Sequence, residues 1–370
     1  MTLRIFNPDH DLALASGLQN FTPPHAGRQL RHDLGWLPAL WAADSDGIVV
    51  DDAEQATMQW NRMKAKMVAI RGKGLPMPQP QFLTWRQPLV SKSVDAIDPW
   101  GWNMPLRRQL LASGMKMSLL PDNSRLSTVR ELSHRRHGAA LLPHLRVEGT
   151  VGVAYQCSDM NDLQRLAKFY GQVVLKAPWS SSGRGLRFIN MATDHGQKTD
   201  NDSRWAANII AAQGSVMVEP FYNKVKDFGM EFYSDGQGSV SYLGLSLFHT
   251  ENGAYKGNIL ATEEAKTAML RRLLSEELLE RVRQAICQQL ATAFKNRYRG
   301  PFGIDMMAVT ATTEGTALLH PCVEINLRRT MGHAALAATR LINPENDSEL
   351  ICAMQIDYTD HNYKLHIKRL

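Results

Sequence analysis

Val323-Glu324-Ile325-Asn326-Leu327-Arg328, with Gly303-Ile304-Asp305-Met306-Met307-Ala308-Val309 upstream of it, decides how this chain is read. Both runs have strand composition, and the turn-like Thr313-Glu314-Gly315 stands between them. With Glu314-Gly315 at the centre of a hairpin loop, Asp305 falls directly opposite Glu324. Opposed residues on adjacent strands stand about 4.5–5.5 Å apart at Cβ, where two carboxylates repel. A bound cation removes that penalty. Alternation along the second strand puts Glu324, Asn326 and Arg328 on one face, and Val323, Ile325 and Leu327 on the other. The polar face offers carboxylates, an amide oxygen and a guanidinium. Such oxygen ligands suit Mg²⁺, which keeps part of its water shell and shares the remaining positions with phosphates. Arg328 stands where charge developing on a transferring phosphoryl group needs compensation. A solvated strand face, its carboxylates paired with Arg328 and Arg329, is the alternative reading of the same residues.

A second informative stretch lies upstream, Gln172-Val173-Val174-Leu175-Lys176-Ala177-Pro178-Trp179-Ser180-Ser181-Ser182-Gly183-Arg184-Gly185-Leu186. A strand delivers Lys176, and a loop of small residues follows. Serines and glycines let backbone N–H groups come close to phosphate oxygens, and such a loop can also close as a lid. It is not a Walker A loop, because no Gly-Lys-Ser/Thr ends it. Taken alone, it reads equally as a flexible turn.

In order, Lys176 with its Ser/Gly loop, Val216-Met217-Val218-Glu219-Pro220-Phe221, Gly303-Ile304-Asp305 and the closing Glu324-x-Asn326-x-Arg328 resemble the ATP-grasp superfamily over about residues 125–335. The resemblance implies an α/β and α+β fold of ATP-grasp architecture. Its parts would be an N-terminal Rossmann-like (pre-ATP-grasp) domain over 1–123, a linker helix with a small lid subdomain over 124–216, and a C-terminal subdomain with the metal site over 217–370. It also implies ATP and Mg²⁺, with Mn²⁺ as a substitute. Lys176 would hold the α/β-phosphates, and Ser180, Ser181, Ser182 and Gly183 would cover them. Glu219 would bind adenine or ribose from the hinge, with the backbone around Val218 and Phe221 reading the base. Asp305, Glu324 and Asn326 would coordinate the metal, and Arg328 would act with Lys176 in catalysis. Where many members carry an earlier lysine, this chain has Arg135 in Leu132-Ser133-His134-Arg135-Arg136, a planar fork in place of a point charge.

The implied activity is a ligase that activates a carboxylate as an acyl phosphate and joins it to an amine or similar nucleophile. A kinase of a small anionic metabolite on the same site, and a nucleotide-binding protein without catalysis, are the competing readings. The residues do not name the carboxylate or the nucleophile.

Bulk properties agree with a soluble enzyme. Of 370 residues, 44% are hydrophobic and 21% charged, an ordinary globular balance that at this length implies more than one domain. No run approaches the roughly 20 apolar residues that span a bilayer. The first residues show no secretory leader, and Cys157, Cys287, Cys322 and Cys352 have no CxxC spacing, so the expectation is a cytoplasmic protein with free thiols. A net charge of +6 is mild, and no nucleic-acid motif appears. Small-molecule substrates are the expected partners, without nucleic acid or membrane; a homo-oligomer is compatible with the sequence.

Elsewhere the pattern predicts strands at Leu3 to Phe6, Gly47 to Val50 and Ser239 to Leu247. Helices are expected at Ala53 to Met67, Ser127 to about Leu145, Asp159 to Tyr170, Ser203 to Ala212 and Ser275 to Phe294, with loop over Gly74 to Pro88. Three motifs stay open. Asn7-Pro8-Asp9-His10-Asp11 ends the first strand, as a capped turn or as a metal or amine site. Trp100 and Trp102 read as packing or as a substrate wall. His249 to Asn258 reads as a loop facing the site or as a solvated hairpin.

Overall fold

The structure is a computed structural model that describes residues 1–72, 77–85, 93–180, 185–193, 197–251, 254–310 and 317–370. Its strands form four sheets of four strands each among these residues. Thr2–Ile5 (β1), Gly47–Val50 (β2), Gln81–Thr84 (β3) and Ala96–Pro99 (β4) make a parallel sheet in the order β3-β2-β1-β4. Leu3, Ile5, Ile48 and Val49 bury there, as β-branched and aliphatic residues do in a sheet covered on both faces. Tyr155–Cys157 (β5), Gln172–Lys176 (β6), Leu186–Asn190 (β7) and Val216–Pro220 (β8) make a small antiparallel sheet, order β5-β8-β6-β7. The helices Met160–Tyr170 and Gln197–Gln213 accompany it, and its own core holds Leu163, Leu175 and Val218. Lys224–Ser234 (β9) and Val240–Ser246 (β10) open a third sheet, and Phe248–Glu251 (β11) and Ala254–Leu260 (β12) a fourth. Gly300–Thr310 (β13) and Ala317–Asn326 (β14) complete the third in the order β10-β9-β13-β14. Cys352–Thr359 (β15) and Asn362–Arg369 (β16) complete the fourth.

Alternation along the third sheet divides its labour. Phe228, Met230 and Phe232 of β9, with Phe302, Ile304 and Met306 of β13, bury against the helix Glu276–Phe294 through Val282, Ile286, Leu290 and Phe294. The opposite parity, Glu231, Gly303 and Asp305, turns the other way. A further core joins the two ends of the chain, bringing Phe6, Leu37, Ile48 and Trp60 together with Ala334, Cys352, Met354 and Leu365. Asp33 of the helix His25–Leu34 accepts the backbone N–H of Tyr363 at 2.7 Å, tying β16 to the N-terminal unit.

Side-chain caps explain where many helices begin. Asp52, Asn103, Asp122, Asp159 and Ser275 each accept an N–H from the first turn of the helix that follows. The single helix expected from Ser127 to Leu145 is corrected: helices span Asn123–Leu132 and Arg136–Leu141, and a 3₁₀ turn spans Leu142–Leu145. The break has a tertiary cause, since the Arg135 N–H is drawn to Pro178 O at 3.2 Å, and Pro143 limits the helix beyond. Gly74 to Pro88 is not loop throughout. Gln81–Thr84 pairs with β2 at the sheet edge, and Pro78 and Pro80 precede it, where a missing N–H costs the ladder nothing.

The β13–β14 register places Asp305 opposite Glu324, as expected, but by a different route. Near the turn, Val309 pairs with Leu318 and Thr310 with Ala317, two residues off the expected pairing. An irregularity between Asp305 and Met307 restores it, with two extra residues on β14. Thr313-Glu314-Gly315 lies outside the described residues.

Phe302 is fully buried, stacked on Phe232 at 5.2 Å and edge-on to Phe294 at 5.1 Å. Phe302→Ala is expected to lower unfolding free energy by about 3–5 kcal/mol, measured by denaturant titration. A loss under about 1 kcal/mol would mean that the sheet and helix do not form one cooperative core.

Candidate active site

Asp305 on β13 and Glu324 and Asn326 on β14 share the polar face of the third sheet. Asn326 Nδ2 donates to Asp305 Oδ2 at 3.1 Å, and Asn326 Oδ1 accepts from Arg328 Nη2 at 3.0 Å. Sequence reading missed a third carboxylate. Glu231 of β9 is opposite Gly303, so it stands on the same face, diagonal to Asp305. It is only 3% exposed. A Cβ at Gly303 would lie 2.6 Å from Glu231 Oε2, and one at Gly332 only 1.9 Å from Oε1, so two glycines make its room. His333 Nδ1 lies 2.8 Å from Oε2 but also receives the Thr330 N–H at 3.1 Å in a capping box. That nitrogen accepts from Thr330 in one tautomer and donates to Glu231 in the other, and cannot do both at once.

Crowding shows in the protonation of Asp305. Burial, then the charges of Glu324 and Glu231, push its pKa up to about 7. This is the demand for positive charge that a divalent cation meets, so the donor set fits Mg²⁺. Among the described residues, no group of three or more His, Cys, Asp or Glu could hold a metal alone. Asp305 and Glu324 would act as a pair, leaving positions for water and phosphate oxygens.

Two arginines answer the same charge. Arg135 Nη2 donates to Glu324 Oε2 at 2.7 Å, while Nη1 donates to Ala177 O and to Ser180 Oγ, both at 2.8 Å. One guanidinium thus bridges the carboxylate face and the root of the Ser/Gly loop. Arg328 is gripped at both ends of its fork by Asp11, Nε to Oδ1 at 2.7 Å and Nη2 to Oδ2 at 2.6 Å. Burial alone would raise the Asp11 pKa and lower that of Arg328, but their mutual attraction prevails, holding Asp11 below and Arg328 above its ordinary value. Asp11 belongs to the Asn7-to-Asp11 motif whose role the sequence left open; nothing in its local pattern announces Arg328 as partner.

Lys176 Nζ pairs with Glu219 Oε2 at 2.6 Å, both side chains 8% exposed. Both are on the small sheet, where Val174 is opposite Glu219, so Lys176 and Glu219 share a face. The loop root is pinned. Ala177 N donates to Gly185 O at 2.9 Å, and the Trp179 ring is held edge-on by His134 at 4.6 Å and covered by the Arg130 guanidinium at 4.0 Å. Ser181, Ser182 and Gly183 lie outside the described residues. Val218 is fully buried in β8 between β5 and β6, while Phe221 is 41% exposed beyond the strand end, its N–H bonded to Gln172 O at 2.9 Å. Trp100 is core, edge-on to Phe6 at 5.0 Å. Phe248–Glu251 and Ala254–Leu260 pair as a hairpin, with Asn258 buried and bonded to Ser246 Oγ at 2.8 Å.

A small lid-like sheet facing an antiparallel sheet with a carboxylate face, behind an N-terminal parallel sheet, is the ATP-grasp fold, and this chain has it. Among solved structures it is similar to a biotin carboxylase from Campylobacter jejuni, in a β-γ-ATP complex, at 13% identity over 98% of this chain and 77% of that one, TM-score 0.55. It is likewise similar to the biotin carboxylase domain of a Hydrogenobacter thermophilus 2-oxoglutarate carboxylase with MgADP, ADP and bicarbonate. There the identity is 15%, over 89% of this chain and 74% of that one, with TM-score 0.54. An L-amino acid ligase from Bacillus licheniformis gives 12%, 97%, 81% and 0.50 for the same quantities. At such identities the likeness is one of fold. No protein-family model and no curated protein matches the sequence. No helix among the described residues is long and apolar enough to cross a membrane.

Asp305 binds its proton more tightly folded than unfolded, where its value is 3.8. Between about pH 4 and about pH 7 the folded state therefore holds a proton that the unfolded state has released, and stability from this group falls as pH rises through that window. Mg²⁺ competes with the same proton. Mg²⁺ affinity measured by calorimetry should rise between about pH 6 and about pH 8, and Asp305→Asn should flatten the rise. Equal pH slopes in both proteins would remove Asp305 from the metal face.

Proposed function

We propose that this chain is a Mg²⁺- and ATP-dependent ligase that activates a carboxylate as an acyl phosphate and joins it to an amine or similar nucleophile. The observation that carries the reading is the Asp305–Glu324 pair on one sheet face, with Arg135 spanning from it to the Ser180 loop root. The solved structures to which the chain is similar support it, being carboxylases and a ligase, two of them with bound nucleotide. In this reading the protein is cytoplasmic and divides into an N-terminal domain over 1–123, a linker and lid region over 124–216 and a C-terminal region from 217. The strand Val216–Pro220 at that last boundary is bonded into the lid sheet.

In this reading Lys176 and Arg135 hold phosphate oxygens, the Ser180–Gly183 loop covers them, and Glu219 with the backbone around Val218 and Phe221 meets the nucleoside. Asp305, Glu324 and Asn326 would hold Mg²⁺, which would neutralise charge on the phosphates. Arg328, fixed by Asp11, offers its remaining charge to the transferring phosphoryl group. Positioning and exclusion of water do most of the work, because an acyl phosphate hydrolyses readily.

Glu324→Gln and Asn326→Ala should weaken the Mg²⁺-dependent part of ATP binding about tenfold or more in calorimetric titration. Unchanged Mg-ATP affinity in both variants rejects the metal assignment.

The reaction itself is tested by ADP release with metabolite carboxylates and amines supplied singly and in pairs. The expected result is release only when both are present. Release with one acceptor and a stable phosphorylated product would make the protein a kinase instead.

A further inference from the structure

The parallel sheet runs β3-β2-β1-β4, so the chain steps outward from β1 through β2 to β3 and then crosses back to add β4 on the other side of β1. The segments leaving β1 and β4 diverge there, and open α/β sheets bind ligands in the crevice outside the strand ends at such a point. A cavity of about 290 Å³ opens at this place. Ile5, Asn7 and Asp9 line it from the β1 side, and Asn103, Pro105 and Leu106 from the segment after β4.

The two asparagines are committed to the frame. Asn7 Nδ2 donates to Gly101 O at 2.8 Å, and Asn103 Oδ1 accepts the Leu106 N–H at 2.9 Å. Asp9 is not committed. It occupies the N-cap position of the helix His10–Ser16, yet its side chain caps no N–H of that helix. At 8% exposure its carboxyl finds only its own backbone N–H among the described residues, with Arg31 and Asp11 acting through space. Arg108, on the helix Met104–Ala112, reaches the same cavity with no ion pair among the described residues, and Arg31 reaches it while sharing Asp51 at 3.3 Å.

A buried carboxylate and two guanidinium groups lining one cavity define the ligand by complementarity. A purely anionic ligand would meet Asp9, and a purely cationic one would leave Arg108 and Arg31 facing it. We propose that this crevice binds a small zwitterion, an amino acid, with its ammonium group on Asp9 and its carboxylate on Arg108 and Arg31. Asp9 precedes the helix whose second residue, Asp11, holds Arg328, so the crevice is two residues along the chain from the partner of the arginine proposed above to face phosphate. That the zwitterion serves as the ligase's second substrate rests on the function proposed above; its binding does not.

Calorimetric titration of the full chain without nucleotide tests this, using glycine, alanine, serine, glutamate and lysine beside their N-acetyl and carboxamide derivatives. At least one free amino acid is expected to bind, and either blocked form to bind about tenfold more weakly or worse. Asp9→Asn should abolish the preference for the free amine over the N-acetyl form. Arg108→Gln should abolish the preference for the free acid over the amide; this exposed position serves if Asp9→Asn does not fold. No amino acid binding to a wild-type protein that binds Mg-ATP would overturn the proposal, as would equal binding of the N-acetyl forms. Amino acid binding by a protein that fails to bind Mg-ATP would support the crevice and reject the ligase reading.

Discussion

Glu231, Asp305 and Glu324 come from three neighbouring strands onto one face of one sheet, and their mutual repulsion sets the arrangement around them. The sheet cannot relax by sliding, because its other face is locked by Phe228, Phe232, Phe302 and Ile304 against the helix Glu276–Phe294. A one-residue slip would carry that apolar set to the wrong side. Compensation must therefore arrive from outside the sheet. Arg135 brings it from the segment before the lid, and Arg328 from the end of β14 under the hold of Asp11. The remaining demand falls on Asp305, whose proton affinity rises as the cheapest local response.

The cations that the proposed function assigns to phosphate are already engaged. Lys176 is paired with Glu219, Arg135 with Glu324 and Arg328 with Asp11. Partly buried pairs of this kind contribute little net stability, since desolvation offsets much of the attraction, but they fix position. A triphosphate entering with its metal would exchange partners with these groups instead of adding charge. Metal at Asp305 and Glu324 would free Arg135 from the second of these, and the phosphates would compete with Glu219 for Lys176. Under the proposed function, nucleotide and metal would thus cooperate by simple electrostatics.

Strand alternation made Glu324, Asn326 and Arg328 legible as one face, and a hairpin guess put Asp305 beside them. The guess succeeded because an irregularity in β14 undid an error in the turn position. Glu231 was invisible for a physical reason. Met230-Glu231-Phe232 alternates as a strand should, but one carboxylate on a strand names no partner, and only the pairing with β13 brings it diagonal to Asp305. The Asp9-to-Asp11 motif could be seen but not placed, since Asp11 and Arg328 stand 317 residues apart and only the fold joins them. The strand Gln81–Thr84 was hidden by its prolines, and the break before Arg136 by a tertiary hydrogen bond that no local propensity encodes.

The end of β14 is where the N-terminal unit acquires a role beyond packing. Arg328 is held by Asp11, the second residue of the helix His10–Ser16 that follows β1, and Arg329 by Asp98 of β4 at 2.8 Å. Arg329 N donates to Trp100 O at 2.8 Å, and its guanidinium lies 4.9 Å over the Trp41 ring. Both arginines thus take their orientation from the strand ends that open the switch-point crevice. Removing one partner of such a partly buried pair leaves a poorly solvated charge and costs more than the pair itself contributes. The N-terminal unit therefore cannot move off this contact without misdirecting Arg328. Asp9, which lines the crevice, stands two residues before Asp11, the carboxylate that aims that guanidinium, so the crevice and the Arg328 contact share one short stretch of chain.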